Sequence, residues 1–227
     1  MEGGILLIQN YLISNCLLII EELNQRFERY QKDEILKFAN IEFNESDLVF
    51  LMAYPFRNLM KVSMQGKNED IIIKKLDFII EIKYLYATKN STGQYTNKRA
   101  FKEVFEKDFS WLVNEVNCGN KGKRAFVIGW FNVFDNFSNI MQLGINSGQN
   151  PKINLEKMNY FPFLSIPNKD CTVNDVNYRY QSDATESVYS NEAYSPYTIP
   201  LPDLKRDKIN CIFLGKKIDK FHFALYY

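Results

Sequence analysis

Asp70, Glu81 and Lys83 are the residues whose types and spacing suit chemistry on a metal ion or an anion. They fall within EDIIIKKLDFIIEIKYLY, from Glu69 to Tyr86. The β-branched run Ile71 to Ile73 and, after Lys74 and Lys75, the run Phe78 to Tyr86 read as two adjacent strands. A period of two puts Ile79, Glu81 and Lys83 on one face of the second strand and Phe78, Ile80 and Ile82 on the other. A carboxylate and an ammonium inside an apolar strand are costly unless they are paired, solvated at a cleft or bound to a metal. Pairing of the two strands about the Lys74 to Asp77 connection brings Asp70 near Glu81 on one sheet edge, so two carboxylates and a lysine converge. A plainer arrangement is open to the same residues: Glu81 and Lys83 in a cross-strand ion pair, and Asp70 in a turn with Asn68.

With Asp70 ahead of the Ile71 to Ile73 strand and Glu81-Ile82-Lys83 inside a hydrophobic strand, the stretch resembles the PD-(D/E)XK nuclease superfamily, the restriction-endonuclease-like proteins. Glu69 departs from the proline of the family motif. Asp77 lies too close to Glu81 to leave room for a separate strand, so Asp70 is the better match to the family's aspartate. The resemblance implies an α/β fold with an αβββαβ core and a mixed sheet whose last strand runs parallel to the third. It implies a metal-dependent endonuclease that hydrolyses phosphodiester bonds, with DNA as the partner. Asp70, Glu81 and the main-chain carbonyl of Ile82 would hold Mg²⁺ or Mn²⁺, and Lys83 would orient water or stabilise charge on the phosphate. An acidic residue of the first helix approaches the metal in the family, which makes Glu22, or its neighbour Glu21, an auxiliary ligand. The ordinary alternative for both is a solvated face paired with Arg26 or Arg29. The rival to an enzyme is a catalytically inactive nucleic-acid-binding or protein-interaction module of the same fold.

The flanking elements must position these groups. Ile5, Ile8, Leu12, Cys16, Ile19, Leu23, Phe27 and Tyr30 follow a helical period and predict one long amphipathic helix. Gln9, Asn10, Ser14 and Asn15 interrupt its apolar run, so it is too polar to span a membrane. Between Asp33 and Arg57, Asn44 with Asp47 resembles a capping box ahead of Leu48 to Tyr54, with Pro55 as a stop, although a buried strand is also compatible. Met60, Val62 and Met64 alternate with Lys61, Ser63 and Gln65 as in a half-exposed strand, and Gly66-Lys67-Asn68 supplies a turn. A helix is predicted from about Lys98 to Asn117, with Phe101, Phe105, Phe109, Leu112 and Val116 on one side and Glu103 paired with Lys107 on the other. Asp108 reads as a local cap or partner of Lys107, outside the site. Arg124 to Trp130 is a buried strand. The resulting order, helix, three strands, helix, strand, is the one the resemblance implies. Lys98, Arg99 and Lys102, at the start of the second helix, would contact nucleic acid, helped by the helix dipole.

Residues 1–145 are thus expected to form a nuclease-like core, and 146–227 a loop-rich extension packed on it and ending in a β-hairpin. The hairpin runs Lys208 to Leu214 and Lys220 to Tyr227 about Gly215-Lys216-Lys217. Its lysines, Lys216 and Lys217 among them, suit phosphate contacts or the protection of edge strands. His222, between Phe221 and Phe223, reads as a strand residue and not a base.

The whole chain of 227 residues carries a net charge of only +1. Through Phe50 four Lys and Arg face nine Asp and Glu, so the positive charge lies in the remainder. That distribution permits a nucleic-acid surface without demanding one. Cys16, Cys118, Cys171 and Cys211 form no C-x-x-C pair and accompany a single histidine, which argues against zinc and against a disulfide framework. A cytoplasmic protein without a membrane partner is expected. Oligomeric state is not specified by these features.

Overall fold

A computed structural model describes residues 3–57, 62–64, 70–86, 88–89, 95–96, 100–133, 137–146, 148–180, 196–199, 201 and 203–227. The chain opens with α1 (Gly3–Arg26), α2 (Lys32–Ile41) and α3 (Glu45–Ala53). Leu12, Cys16, Ile19, Leu23 and Phe27 of the predicted stripe are buried, whereas Tyr30 lies beyond the helix and is exposed. The side chains of Ile5 and Ile8 fall outside the described residues. Asn15, which breaks the apolar run, is itself buried and donates to the Met52 carbonyl at 3.0 Å, tying α1 to α3. The segment around Asn44 is helical. The Asn44 side chain accepts from the N–H groups of Ser46 and Asp47, and Asp47 accepts from the Asn44 N–H at 2.8 Å, a reciprocal box that fixes where α3 begins.

Strands β1 (Val62–Met64), β2 (Ile71–Ile73) and β3 (Phe78–Leu85) follow. Met60, Lys61, Gln65 and the Gly66 to Asn68 turn lie outside the described residues, as does Glu69. A short pair, β4 (Thr88–Lys89) and β5 (Tyr95–Thr96), precedes α4 (Ala100–Lys102), a π-helical run over Glu103–Phe109, and α5 (Ser110–Asn117). Then come β6 (Arg124–Phe131), α6 (Phe137–Ile140), α7 (Leu155–Met158), and the strands β7 (Leu164–Ser165), β8 (Asn177–Tyr178), β9 (Tyr197–Ile199), β10 (Ile209–Leu214) and β11 (Phe221–Tyr226).

Seven strands form one mixed sheet in the order β1-β2-β3-β6-β11-β10-β9. Every pairing is antiparallel except β3 with β6, which run parallel with Glu81 opposite Phe126 and Lys83 opposite Ile128. The helical connection between β3 and β6 is what a parallel pair requires. The protein is therefore mixed α/β. No helix among the described residues is long and apolar enough to cross a membrane.

The boundary expected at 145/146 is crossed by this sheet. β11 is hydrogen-bonded along β6 from Phe221↔Phe131 to Tyr226↔Phe126, so the terminal hairpin continues the sheet. Its strands are largely apolar and buried, with Asn210 part-buried in β10 and His222 buried in β11, and β9 pairs with β10 over Ile209, Asn210 and Cys211. Lys216 and Lys217 sit in the β10–β11 turn, beyond the residues of β10 that β9 covers.

The sheet has two covered faces. On one, Phe131 meets Phe38 of α2 and Phe27 and Phe43 of the connections that flank it, and Gly129 lies so close to Leu48 and Phe221 that a Cβ there would collide with both. On the other, Phe126 meets Phe109, and Trp130 stacks on Phe163 beside Phe137. Arg124 locks the second face at its base. Its Nε donates to Glu115 at 2.6 Å, and its Nη1 donates to the Asp77 carbonyl at 2.7 Å.

Candidate functional site

β2 is three residues long and β3 is eight, and the pairing stops at Ile71↔Ile80. Among the described residues, no strand pairs with residues 81–85 of β3 on that side. Along a strand, alternate residues turn their N–H groups toward the same neighbour, so Ile82 and Tyr84 present theirs to the side on which β2 lies. A buried N–H without an acceptor is costly, and both are met by carboxylates. Asp70, the residue before β2, accepts from Ile82 N–H at 2.7 Å. Glu45, the first residue of α3, accepts from Tyr84 N–H at 3.2 Å. The Ile82 carbonyl lies on this same edge.

By register, Asp70 stands opposite Glu81, and Glu81 and Lys83 share the sheet face that carries Phe126. Glu81 is nearly sealed, at 5% exposure. Its Oε1 accepts from the Lys107 ammonium at 3.3 Å, and its Oε2 is buried without a hydrogen-bond partner. Lys83 does not pair with Glu81. Its ammonium lies 3.3 Å from Glu45, which reaches round the strand edge from the opposite layer.

Two further residues, Asp108 and Lys107, complete the cluster; the expected partner of Lys107, the Glu103 side chain, lies outside the described residues. The π-helical turn widens the helix so that Asp108 and Phe109 both face the sheet, and both are buried. Lys107 bridges Glu81 and Asp108, with 3.4 Å to the latter. Asp108 is thus a member of the cluster as well as a local partner of Lys107. Such π turns often mark functional positions, but the apolar spacing of this helix gives no sign of one.

Burial dominates the electrostatics. It pushes Glu81 up to about 7, reinforced by the charges of Asp70 and Asp108 and opposed by Lys107. Asp108 rises to about 6, again chiefly through burial, with Lys107 and Lys83 pulling the other way. Asp70 is also raised by burial, against the Ile82 N–H. Burial would lower the Lys107 ammonium, yet Asp108 and Glu81 more than offset it and hold the proton on.

The remaining expected residues are placed as follows. Glu22 is exposed on α1. The end of that helix is tied by Asn24 to Asp219 and Lys220 at the β10–β11 turn, and the helical acid that reaches the cluster is Glu45. Lys102 is exposed and pairs with Glu106 at 3.7 Å. Lys98 and Arg99 lie outside the described residues. Lys216 and Lys217 occupy the turn at the end of the sheet where β3 and β6 finish. The turn is fixed by Asp219, which accepts from the Lys216 N–H, and by His222, whose Nε2 meets the Lys216 carbonyl at 2.9 Å. His222 is fully buried in β11, and burial pulls it down to about 4, so it is neutral. Asp77, the other aspartate near the motif, caps the β2–β3 turn in a left-handed conformation (φ 51°) and pairs with Lys123 at 3.2 Å, away from Glu81.

The donor set suits a hard divalent cation. Asp70 and Glu81 offer carboxylate oxygens, one of them buried and unpartnered, and the Ile82 carbonyl lies beside them. No group of three His, Cys, Asp or Glu residues among those described is arranged to hold a metal ion. A pair of carboxylates completed by water is the manner in which Mg²⁺ is commonly held. Comparison with family models, curated proteins and solved structures finds no match.

Proposed function

We propose that the chain is a metal-dependent nuclease of the PD-(D/E)XK kind, with a restriction-endonuclease-like core, that hydrolyses phosphodiester bonds in DNA. The observation that carries this reading is the Asp70 carboxylate at 2.7 Å from Ile82 N–H, in the middle of the Glu81-Ile82-Lys83 triplet. The parallel pairing of β3 with β6 supports it at the level of topology.

In this reading Asp70, Glu81 and the Ile82 carbonyl hold Mg²⁺ or Mn²⁺. The bound ion supplies Lewis-acid polarisation of the phosphoryl oxygen and a water of lowered pKa. Asp70 is held in place by Ile82 N–H, so its carboxylate is ordered before any ligand arrives. Glu81 brings a carboxylate whose neutralisation by a cation removes a large burial cost. Lys83, steadied by Glu45, supplies positive charge toward a phosphate whose own charge grows in the transition state. Lys216 and Lys217, at the nearby sheet end, and Lys98, Arg99 and Lys102 supply phosphate contacts that fix the substrate without reading its sequence.

Incubation with supercoiled, linear and single-stranded DNA and with RNA, in Mg²⁺ or Mn²⁺, tests the reading. Cleavage is expected in at least one DNA topology, with loss in Asp70→Asn, Glu81→Gln and Lys83→Ala proteins that melt like wild type. If every substrate survives in both metals, the hydrolytic reading fails.

One observation favours a second reading, a non-catalytic nucleic-acid-binding or protein-interaction module of the same fold: Lys107 already neutralises Glu81. Salt-dependent DNA binding that is indifferent to divalent ions, without turnover, would mark that case.

A further inference from the structure

Lys107 differs from the other cations of the interior in how it is held. Arg124 is 8% exposed and fixed by Glu115 and by main-chain carbonyls, and Lys83 is 19% exposed. The Lys107 side chain is 70% exposed, while the carboxylates it bridges are 6% and 3% exposed. It therefore reaches in from solvent on a flexible stem, carried by a π-helical turn, and places its charge on a buried acidic pair. Glu81 Oε2 is buried without a hydrogen-bond partner, and Asp108 Oδ1 meets the ammonium only at 3.4 Å, so Lys107 satisfies the pair in part.

Resting on the reading of Asp70 and Glu81 as a metal site, we infer that Lys107 is an exchangeable counter-ion, whose ammonium neutralises Glu81 in the metal-free protein and withdraws when a divalent cation takes up that carboxylate. Glu81 has almost no access to water, so without an ion it needs a cation in contact. Two cations against one carboxylate repel each other, and the singly charged, solvent-reaching partner is the one with somewhere to go. Asp108, adjacent on the same turn, offers the displaced ammonium a second anchor. The device keeps the acidic cluster folded before metal loading.

Amine labelling of the full chain, read residue by residue by mass spectrometry with and without Mg²⁺, tests the inference. Thermal melting in the same buffers reports whether the ion binds. Labelling at Lys107 should rise several-fold on adding Mg²⁺, while Lys102, 74% exposed on the same helical segment, serves as the unchanged control. Asp70→Asn, whose amide oxygen still accepts from Ile82 N–H, should keep the metal-free rate at Lys107 and lose the rise. Glu81→Gln should label faster at Lys107 without any metal. If Mg²⁺ raises the melting temperature and Lys107 labelling does not move, or if Glu81→Gln leaves the metal-free rate unchanged, the exchange is overturned and the metal site stands. If neither Mg²⁺ nor Mn²⁺ alters melting or labelling, the metal site falls and the inference falls with it.

Discussion

Glu45 and Lys83 form an ion pair at 3.3 Å around the edge of β3, and the same Glu45 carboxylate accepts the N–H of Tyr84. One side chain thus finishes a strand and aims a lysine. Glu45→Gln retains an oxygen for Tyr84 while removing the charge that holds Lys83. Stability in urea should change by less than about 1 kcal/mol, as for a partly exposed pair. Under the proposed nuclease function, single-turnover DNA cleavage should fall by roughly tenfold through lost positioning, with Mg²⁺ affinity retained. A Glu45→Gln protein that cleaves at the wild-type rate would separate Glu45 from the chemistry.

Asp70 has a structural duty that precedes any catalytic one. Asp70→Ala leaves Ile82 N–H without its acceptor and should cost about 1.5–3 kcal/mol, the worth of a hydrogen bond to a charged group. Asp70→Asn should cost under about 1 kcal/mol, because an amide oxygen can accept in the same place. Denaturant midpoints of the two variants against wild type measure the difference.

Glu81 makes the metal-free protein pH-sensitive. Its folded value of about 7 lies above the ordinary carboxylate value of 4.5, so between those limits the folded state binds more protons than the unfolded one. Stability contributed by this group therefore falls as pH rises from about 4.5 to about 7 and is flat above. Glu81→Gln removes the titration. Without divalent ions, the variant should gain stability relative to wild type on going from pH 5 to pH 8, by on the order of 2 kcal/mol. Chemical denaturation at the two pH values is the check, and a wild-type advantage that grows with pH would contradict the burial of this carboxylate.

Gly215 opens the turn that carries Lys216 and Lys217. Its φ of +142° disfavours side chains, and a Cβ there would run into the buried His222 ring. Gly215→Ala should destabilise by roughly 2–4 kcal/mol through backbone strain and overpacking. A thermal melt measures it, and a neutral result would mean that the turn re-forms around His222 at little expense.

Much of this architecture is written in local pattern. The strand pair Ile71–Ile73 and Phe78–Leu85, the alternation that puts Glu81 and Lys83 on one face, the amphipathic stripe of α1 and the Asn44–Asp47 cap each depend on neighbours within a turn or a pleat, so residue order is enough to determine them. The convergence of Asp70 on Glu81 is legible for the same reason, since a short connection leaves the two strands little choice of register. What surrounds that pair was decided elsewhere. Lys107 reaches Glu81 across 26 residues and Glu45 reaches Tyr84 across 39, contacts that exist only once helices have packed on the sheet. Asp108, which its type and its neighbour Lys107 mark only as a local partner, is buried beside Glu81 on the π-helical turn. The terminal hairpin enters next to β6 because largely apolar strands are buried most fully within the sheet, a drive that acts on the folded assembly and leaves no mark of address in the sequence.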